Sequence, residues 1–238
     1  YKASILLRYI PKGWRESKVI FIAKPGKPDY SEPRAFRPIS LMSVAFKILE
    51  RVMLSRMDET VFKDNPLSDR QYAFRKGRSC ITALTRFVNG VEGALYNGNY
   101  ALGTFLDIKG AFDNLKTSKL IEAMIKKGIP ENTVQWYAHF LKFRRMSTKI
   151  NGIKVSSYLT KGTPQGGVLS PVMWNIAFDG LLEIFSKGPV SCIGFADDAA
   201  LLNTGPYANT LIAEAQSAVN KATDWGKENG LEFSPAKT

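Results

Sequence analysis

Gly194-Phe195-Ala196-Asp197-Asp198-Ala199-Ala200-Leu201-Leu202 sets two adjacent carboxylates between apolar runs, with Ser191-Cys192-Ile193 leading in. Short apolar runs around a polar dipeptide predict a β-hairpin with the aspartates at its tip. Neighbouring side chains of an extended chain point to opposite faces, so one of Asp197 and Asp198 points fully into a shared site. Two carboxylates so close repel, and ionising both beside apolar surface is costly without a cation. A hard divalent cation such as Mg²⁺ takes oxygen ligands and removes that cost. Aspartate is equally at home in a hairpin turn that binds nothing.

A second carboxylate stretch points to chemistry. Tyr100-Ala101-Leu102-Gly103-Thr104-Phe105-Leu106-Asp107 is a strand-like apolar run ending in a carboxylate. Side by side in one sheet, this strand and the hairpin would bring Asp107 and Asp197 together. Such carboxylates can hold two metal ions about 3.5–4 Å apart for in-line displacement at phosphorus. The competing reading has Asp107 capping the following helix, a task better suited to Asp113-Asn114.

The chain is long enough, at 238 residues, for one large domain or two subdomains. Its net charge of +12 is unevenly spread: residues 1–80 hold 17 Lys and Arg against 8 Asp and Glu. A basic segment joined to an acidic, metal-binding centre suits an enzyme acting on nucleic acid. Cys80 and Cys192 stand alone, without metal-finger spacing, which favours a reducing intracellular compartment, cytoplasm or nucleus. His139 is the only histidine, which argues against histidine acid–base catalysis and His-rich zinc sites. No apolar run is long enough to span a membrane, and no signal peptide is evident.

Along the chain, Lys18–Ile22 is strand-like and runs into a basic turn, Lys24-Pro25-Gly26-Lys27-Pro28. A helix is predicted from about Ser43 to Val61, with Phe46, Leu49, Met53 and Met57 inward. Further helices are expected from Ser79 or Ile81 to Leu95, over Ser118–Lys127, from Pro130 to about Phe143, after Ser170-Pro171, and over Gly205–Asn229. Asn151-Gly152 between Met146–Ile150 and Ile153–Tyr158 signals a hairpin with a type I′ turn. Strands alternate with helices while the hairpins demand antiparallel pairing. The predicted class is therefore α+β, a small antiparallel sheet packed on helices.

Phe105-x-Asp107-x₄-Phe112-Asp113, then Gly162-Thr163-Pro164-Gln165-Gly166-Gly167-Val168-Leu169-Ser170-Pro171, then Phe195-Ala196-Asp197-Asp198, resemble in order and spacing the palm motifs of reverse transcriptases. The likeness is greatest to those of non-LTR retrotransposons and their group II intron relatives, and it runs from about Trp14 to Lys237. It implies right-hand polymerase fingers over 1–98 and a palm over 99–238. The chain stops where a thumb would begin, so the thumb is expected to be absent and the chain to be part of a larger polyprotein with thumb and endonuclease regions.

The resemblance also implies roles. Asp107 and Asp197 would be the principal Mg²⁺ or Mn²⁺ ligands and Asp198 a third, less direct carboxylate. Lys24 and Arg37 would hold the triphosphate of an incoming dNTP, where arginine's bidentate geometry suits phosphate. Phe112 would exclude a ribose 2′ hydroxyl, Gln165 would line the nucleotide pocket, and Lys237 would stand near the leaving phosphate. Gln71, Phe74, Arg75 and Arg78 interleave aromatic and basic groups as a template contact. Each has a plainer reading: a solvated turn lysine, a core phenylalanine, a turn glutamine, a loop before a helix. The sequence departs from the family with Phe195 for the commoner tyrosine and Ser234 for a frequent asparagine. The implied activity is RNA-directed DNA polymerisation on an RNA template and a DNA primer. The competing function is a catalytically inactive or truncated module that only binds RNA.

Overall fold

The strands sort into two sheets in the computed structural model, which describes residues 1–235. The hairpin forms as the sequence predicts: β6 (Ser191–Phe195) and β7 (Asp198–Gly205) pair antiparallel around Ala196-Asp197. β3 (Tyr100–Asp107) runs antiparallel along all of β7, from Tyr100 opposite Gly205 to Asp107 opposite Asp198. The order is β3-β7-β6. Alternation divides the faces. Ala199 and Leu201 enter the main core, while Asp198 and Ala200 look the other way.

The second sheet joins β1 (Glu16–Ala23), β2 (Phe36–Leu41), β4 (Arg145–Ile150) and β5 (Ile153–Tyr158) in the order β2-β1-β4-β5. Asn151 and Gly152 both take positive φ, 49° and 81°, as a type I′ turn requires. One expectation is corrected here. The pairing is not wholly antiparallel, because Glu16–Lys18 run parallel to Arg145–Ser147. β4 and β5 join the N-terminal strands, and the helix at 80–96 packs on the β3-β7-β6 sheet.

The helices are α1 (Lys2–Leu6), α2 (Lys12–Arg15), α3 (Val44–Glu59), α4 (Val61–Asp64), α5 (Cys80–Tyr96), α6 (Ala111–Asn114), α7 (Thr117–Lys126), α8 (Glu131–Phe143), α9 (Ser170–Ile184) and α10 (Ala208–Asn229). α3 buries Phe46, Leu49, Met53 and Met57, the predicted stripe. α5 opens on a capping box between Ser79 and Thr82. α10 starts three residues later than expected, because the ladder with β3 holds the chain extended to Gly205; it ends at Gly230, φ 77°. The capping role expected of Asp113-Asn114 is not found: Lys116 precedes α7 without a side-chain cap. α9 forms the centre, with Trp174, Phe178 and Leu181 fully buried. His139 packs between Tyr9 and Phe143, ring centroids 5.4 and 4.8 Å away. Among the described residues no helix is long and apolar enough to cross a membrane.

Candidate active site

The β3–β7 register decides which carboxylates meet. Residues directly opposite in an antiparallel pair project from the same face with Cβ atoms about 4.5–5.5 Å apart. Asp107 and Asp198 are such a pair, and Asp197 lies in the turn immediately before. The register thus sets Asp198, rather than Asp197, straight across from Asp107. Beside them a groove of about 360 Å³ opens between α5 and the sheet, lined by Leu84, Phe87, Phe105 and Phe195.

The turn is held from below. Ala196 has φ 55°, a left-handed conformation that costs a residue with a Cβ about 1–2 kcal/mol. The Trp174 Nε1–H donates to the Ala196 carbonyl at 2.7 Å. The end of β3 is tied to the C-terminal segment: Ser234 N–H donates to Asp107 O at 2.8 Å and Lys109 N–H to Glu232 O at 2.8 Å. Lys109 and Glu232 also pair at 2.7 Å.

The donor set fits a hard divalent cation, with two carboxylates facing across strands and a third one residue away. Among the described residues no three Asp, Glu, His or Cys side chains are gathered into a ready-made metal cluster.

A second group of side chains surrounds Asp113. Gln165 Nε2 donates to both its carboxylate oxygens, at 3.2 and 3.1 Å. One side of Asp113 stays open to solvent. Desolvation on the other side raises its carboxyl above the usual range, against the Gln165 hydrogen bond and the charges of Arg144, Lys24 and Lys161. Lys24 acts on Asp113 through its charge alone, and Arg37 lies opposite Ile22, two residues before Lys24. Lys24 Nζ also donates to Arg34 O at 3.0 Å. Phe112 is half-buried, tilted against Trp174 (centroids 5.5 Å, 32°) and edge-on to Phe74 (6.2 Å, 84°). The structure thus brings Lys24, Phe112 and Gln165 to one corner. Lys237 lies outside the described residues.

The loop bearing Gln165 is fixed on three sides. Ser40 N–H donates to Gln165 O at 2.7 Å, Thr163 N–H to Phe112 O at 2.6 Å, and Gly162 N–H to Leu115 O at 2.7 Å. Arg144, 4% exposed, donates to the carbonyls of Lys161 and Gly162. Glu50, without exposed surface, accepts from Val168 and Leu169 N–H at 3.0 and 3.4 Å where α9 begins.

Sequence reading missed Glu50, Asp113 and Arg144 as parts of this site. Glu50 left a signal, since it falls on the apolar stripe of α3 between Leu49 and Met53, where a carboxylate needs a partner. Burial pushes its carboxyl up to about 7, against the Val168 and Leu169 hydrogen bonds and the Lys47 charge. The acid form is therefore the one the fold prefers. Glu50's contribution to stability is full below the ordinary carboxylate pKa and is lost as pH rises through about 7. Urea unfolding at pH 5 and pH 7.5 is expected to reveal a loss on the order of 3 kcal/mol, absent in Glu50→Gln.

The residues expected at the template divide. Gln71 is corrected: it has no exposed surface, and its Oε1 accepts from Tyr72 and Ala73 N–H at 2.9 and 3.2 Å. Its segment pairs onto the β6 edge through Tyr72 N–H to Gly194 O at 2.9 Å, so the side chain holds the loop and is out of a template's reach. Arg75 donates to Ser68 O at 2.5 Å. Arg78 grips Asp69 at 2.6 Å and lies over the Tyr72 ring, 5.0 Å from its centroid. Phe74 stands half exposed at φ 58°.

Comparison with known families matches residues 22–238 to the one described as reverse transcriptase (RNA-dependent DNA polymerase). The chain is 28% identical, over its full length, to 27% of a probable RNA-directed DNA polymerase from transposon BS of Drosophila melanogaster. It is 32% identical, again over its full length, to 22% of a putative 115 kDa protein in the type-1 retrotransposable element R1DM of the same fly. It thus spans about a quarter of the length of these relatives. In fold it resembles apo telomerase from Candida tropicalis truncated from its C-terminal domain, with a TM-score of 0.69, 13% identity, and coverage of 96% of this chain and 50% of the other.

Proposed function

This chain belongs to the reverse transcriptase family, and on that premise we propose that it is the fingers-and-palm part of a retrotransposon RNA-directed DNA polymerase. It would extend a DNA primer on an RNA template with dNTPs. The observation that carries the reading is the register that faces Asp107 with Asp198 and leaves Asp197 in the adjoining turn. These three carboxylates would hold Mg²⁺. When bound, the cation supplies charge neutralisation for the attacking primer hydroxyl and the leaving pyrophosphate.

The chain's own residues do the rest. Lys24 and Arg37 bind the triphosphate from the β1–β2 side, and Lys237 is assigned to the leaving phosphate. Gln165, its amide turned toward Asp113, lines the nucleotide pocket. The apolar groove beside the carboxylates seats the primer's terminal nucleotide, and Phe74 lies toward the template. Arg75 and Arg78 shape that loop and add positive charge. The longer relatives support the view that the chain acts within a larger polypeptide.

Phe112, wedged between Trp174 and Phe74, is the group that meets the sugar. The test is single-nucleotide extension of a DNA primer on an RNA template with Mg²⁺, comparing dNTP with rNTP. Extension with dNTPs is expected. Phe112→Ala is expected to lower the dNTP-over-rNTP preference by about a hundredfold, the scale on which a pocket rejects an added hydroxyl. Unchanged discrimination would make Phe112 a core residue only, and no extension by the wild type even when the chain is extended through a thumb would sink the polymerase reading.

A further inference from the structure

We propose that Trp174 and Asn175, adjacent on α9, are positioning residues that hold two strained turns of the site and thereby fix the ring of Phe112. Among the described residues four that are not glycine have positive φ: Arg8, Phe74, Asn151 and Ala196. Asn151 belongs to a turn type that requires it, and Arg8 is remote, bonded to Asn132. Phe74 has no such local reason, and Ala196 opens the two-residue turn between Phe195 and Asp198, where positive φ is required of a residue whose Cβ opposes it. Alanine and phenylalanine avoid this region because Cβ crowds the following carbonyl.

Both turns are met by buried side-chain donors from consecutive positions of one helix. Trp174 Nε1–H donates to Ala196 O at 2.7 Å. Asn175 Nδ2–H donates to Ala73 O at 3.0 Å, in the peptide that leads into Phe74. Neither residue has exposed surface. Successive residues on a helix diverge by about 100°, so one segment serves loops on two sides. Phe112 packs tilted against Trp174 and edge-on to Phe74, so its ring touches one of the two donors and one of the two turns. A phenylalanine at 174 would preserve ring packing; only tryptophan offers the N–H. Strained residues persist where the surroundings over-determine them, and they cluster where geometry matters.

The polymerase consequence rests on the function proposed above, and the test separates the two. Trp174→Phe removes the donor and keeps most of the ring. Ala196→Gly removes the strain that the donor opposes. Amide hydrogen exchange of residues 195–198 is read in the metal-free chain, with Mn²⁺ alone as the binding probe in a parallel titration. Trp174→Phe is expected to speed exchange in the turn about tenfold and weaken Mn²⁺ binding about threefold or more. In the Ala196→Gly background the same change is expected to move both by less than about twofold, because coupled residues are not additive.

Equal effects in the two backgrounds would overturn the proposal, since a cavity left by the smaller ring is indifferent to residue 196. If Trp174→Phe does not fold, Ala196→Gly alone decides. Relief of strain predicts an unfolding temperature no lower than the wild type's, and a lower one refutes the clamp. A wild type that shows the exchange coupling yet extends no primer, even when extended through a thumb, refutes the polymerase reading and leaves the clamp standing. One that extends primer with additive exchange effects refutes the clamp alone.

Discussion

Asp107→Ala is expected to reduce single-nucleotide incorporation at saturating Mg²⁺ by about a thousandfold or more, equivalent to about 4 kcal/mol of transition-state stabilisation. The residue ends β3 directly opposite Asp198, so its loss removes one wall of the two-carboxylate arrangement and leaves a cation with Asp197 and Asp198 on one strand end. Folding should suffer little. Asp107 is half-buried at a strand terminus, and the Ser234 N–H to Asp107 O bond at 2.8 Å uses the backbone, which the substitution keeps. Urea unfolding without divalent metal is therefore expected to stay within about 1 kcal/mol of wild type. Rate and stability measured together distinguish a chemical role from a structural one. Wild-type incorporation by the variant would remove Asp107 from the reaction.

The second large effect is on the fold. Gly162 has φ 74°, and an added Cβ would stand 2.4 Å from Phe112 O and 2.6 Å from Asp113 O. Both are backbone atoms, and Phe112 O is already engaged by Thr163 N–H at 2.6 Å. The loop cannot retreat without surrendering that bond, the Gly162 N–H to Leu115 O bond and the Arg144 grip on Gly162 O. Gly162→Ala is expected to destabilise the chain by about 3–5 kcal/mol, combining left-handed strain with overpacking. Gly128→Ala is the control. Its φ is 79° but an added Cβ meets nothing within 4 Å, so about 1 kcal/mol is expected. Equal losses in the two variants, measured by urea midpoint, would show that the close approach to Phe112 is not maintained in solution.

What the sequence discloses follows from how local each signal is. The Asp197-Asp198 tip, the Asn151-Gly152 turn and the stripe of α3 are written in neighbouring residues, and each appears where expected. The β1–β4 junction was illegible because nothing in Glu16–Lys18 or Arg145–Ser147 names a partner so distant. The start of α10 was misplaced because a tertiary ladder outweighed helical periodicity. At the site, motif and order point to Lys24, Phe112, Gln165 and the aspartates, but motif reading does not distinguish a side chain that faces solvent from one that holds a loop. Gln71 is the clearest example, polar in sequence and wholly interior in structure. Arg144 is another: one basic residue among several near a helix end becomes a buried brace across two carbonyls.

The parallel junction between β1 and β4 also constrains the order of events as the chain emerges from a ribosome. Glu16 must find Arg145, which is 129 positions later. At roughly 5–20 residues per second the early hairpin of β1 and β2 waits on the order of ten seconds for its neighbour. During that interval the Glu16–Lys18 edge of β1 is open, a template for mispairing with another chain. The charged residues on that edge, Glu16 and Lys18, act in that period as gatekeepers, keeping nascent copies apart until the 145–158 hairpin is made and takes the vacant edge.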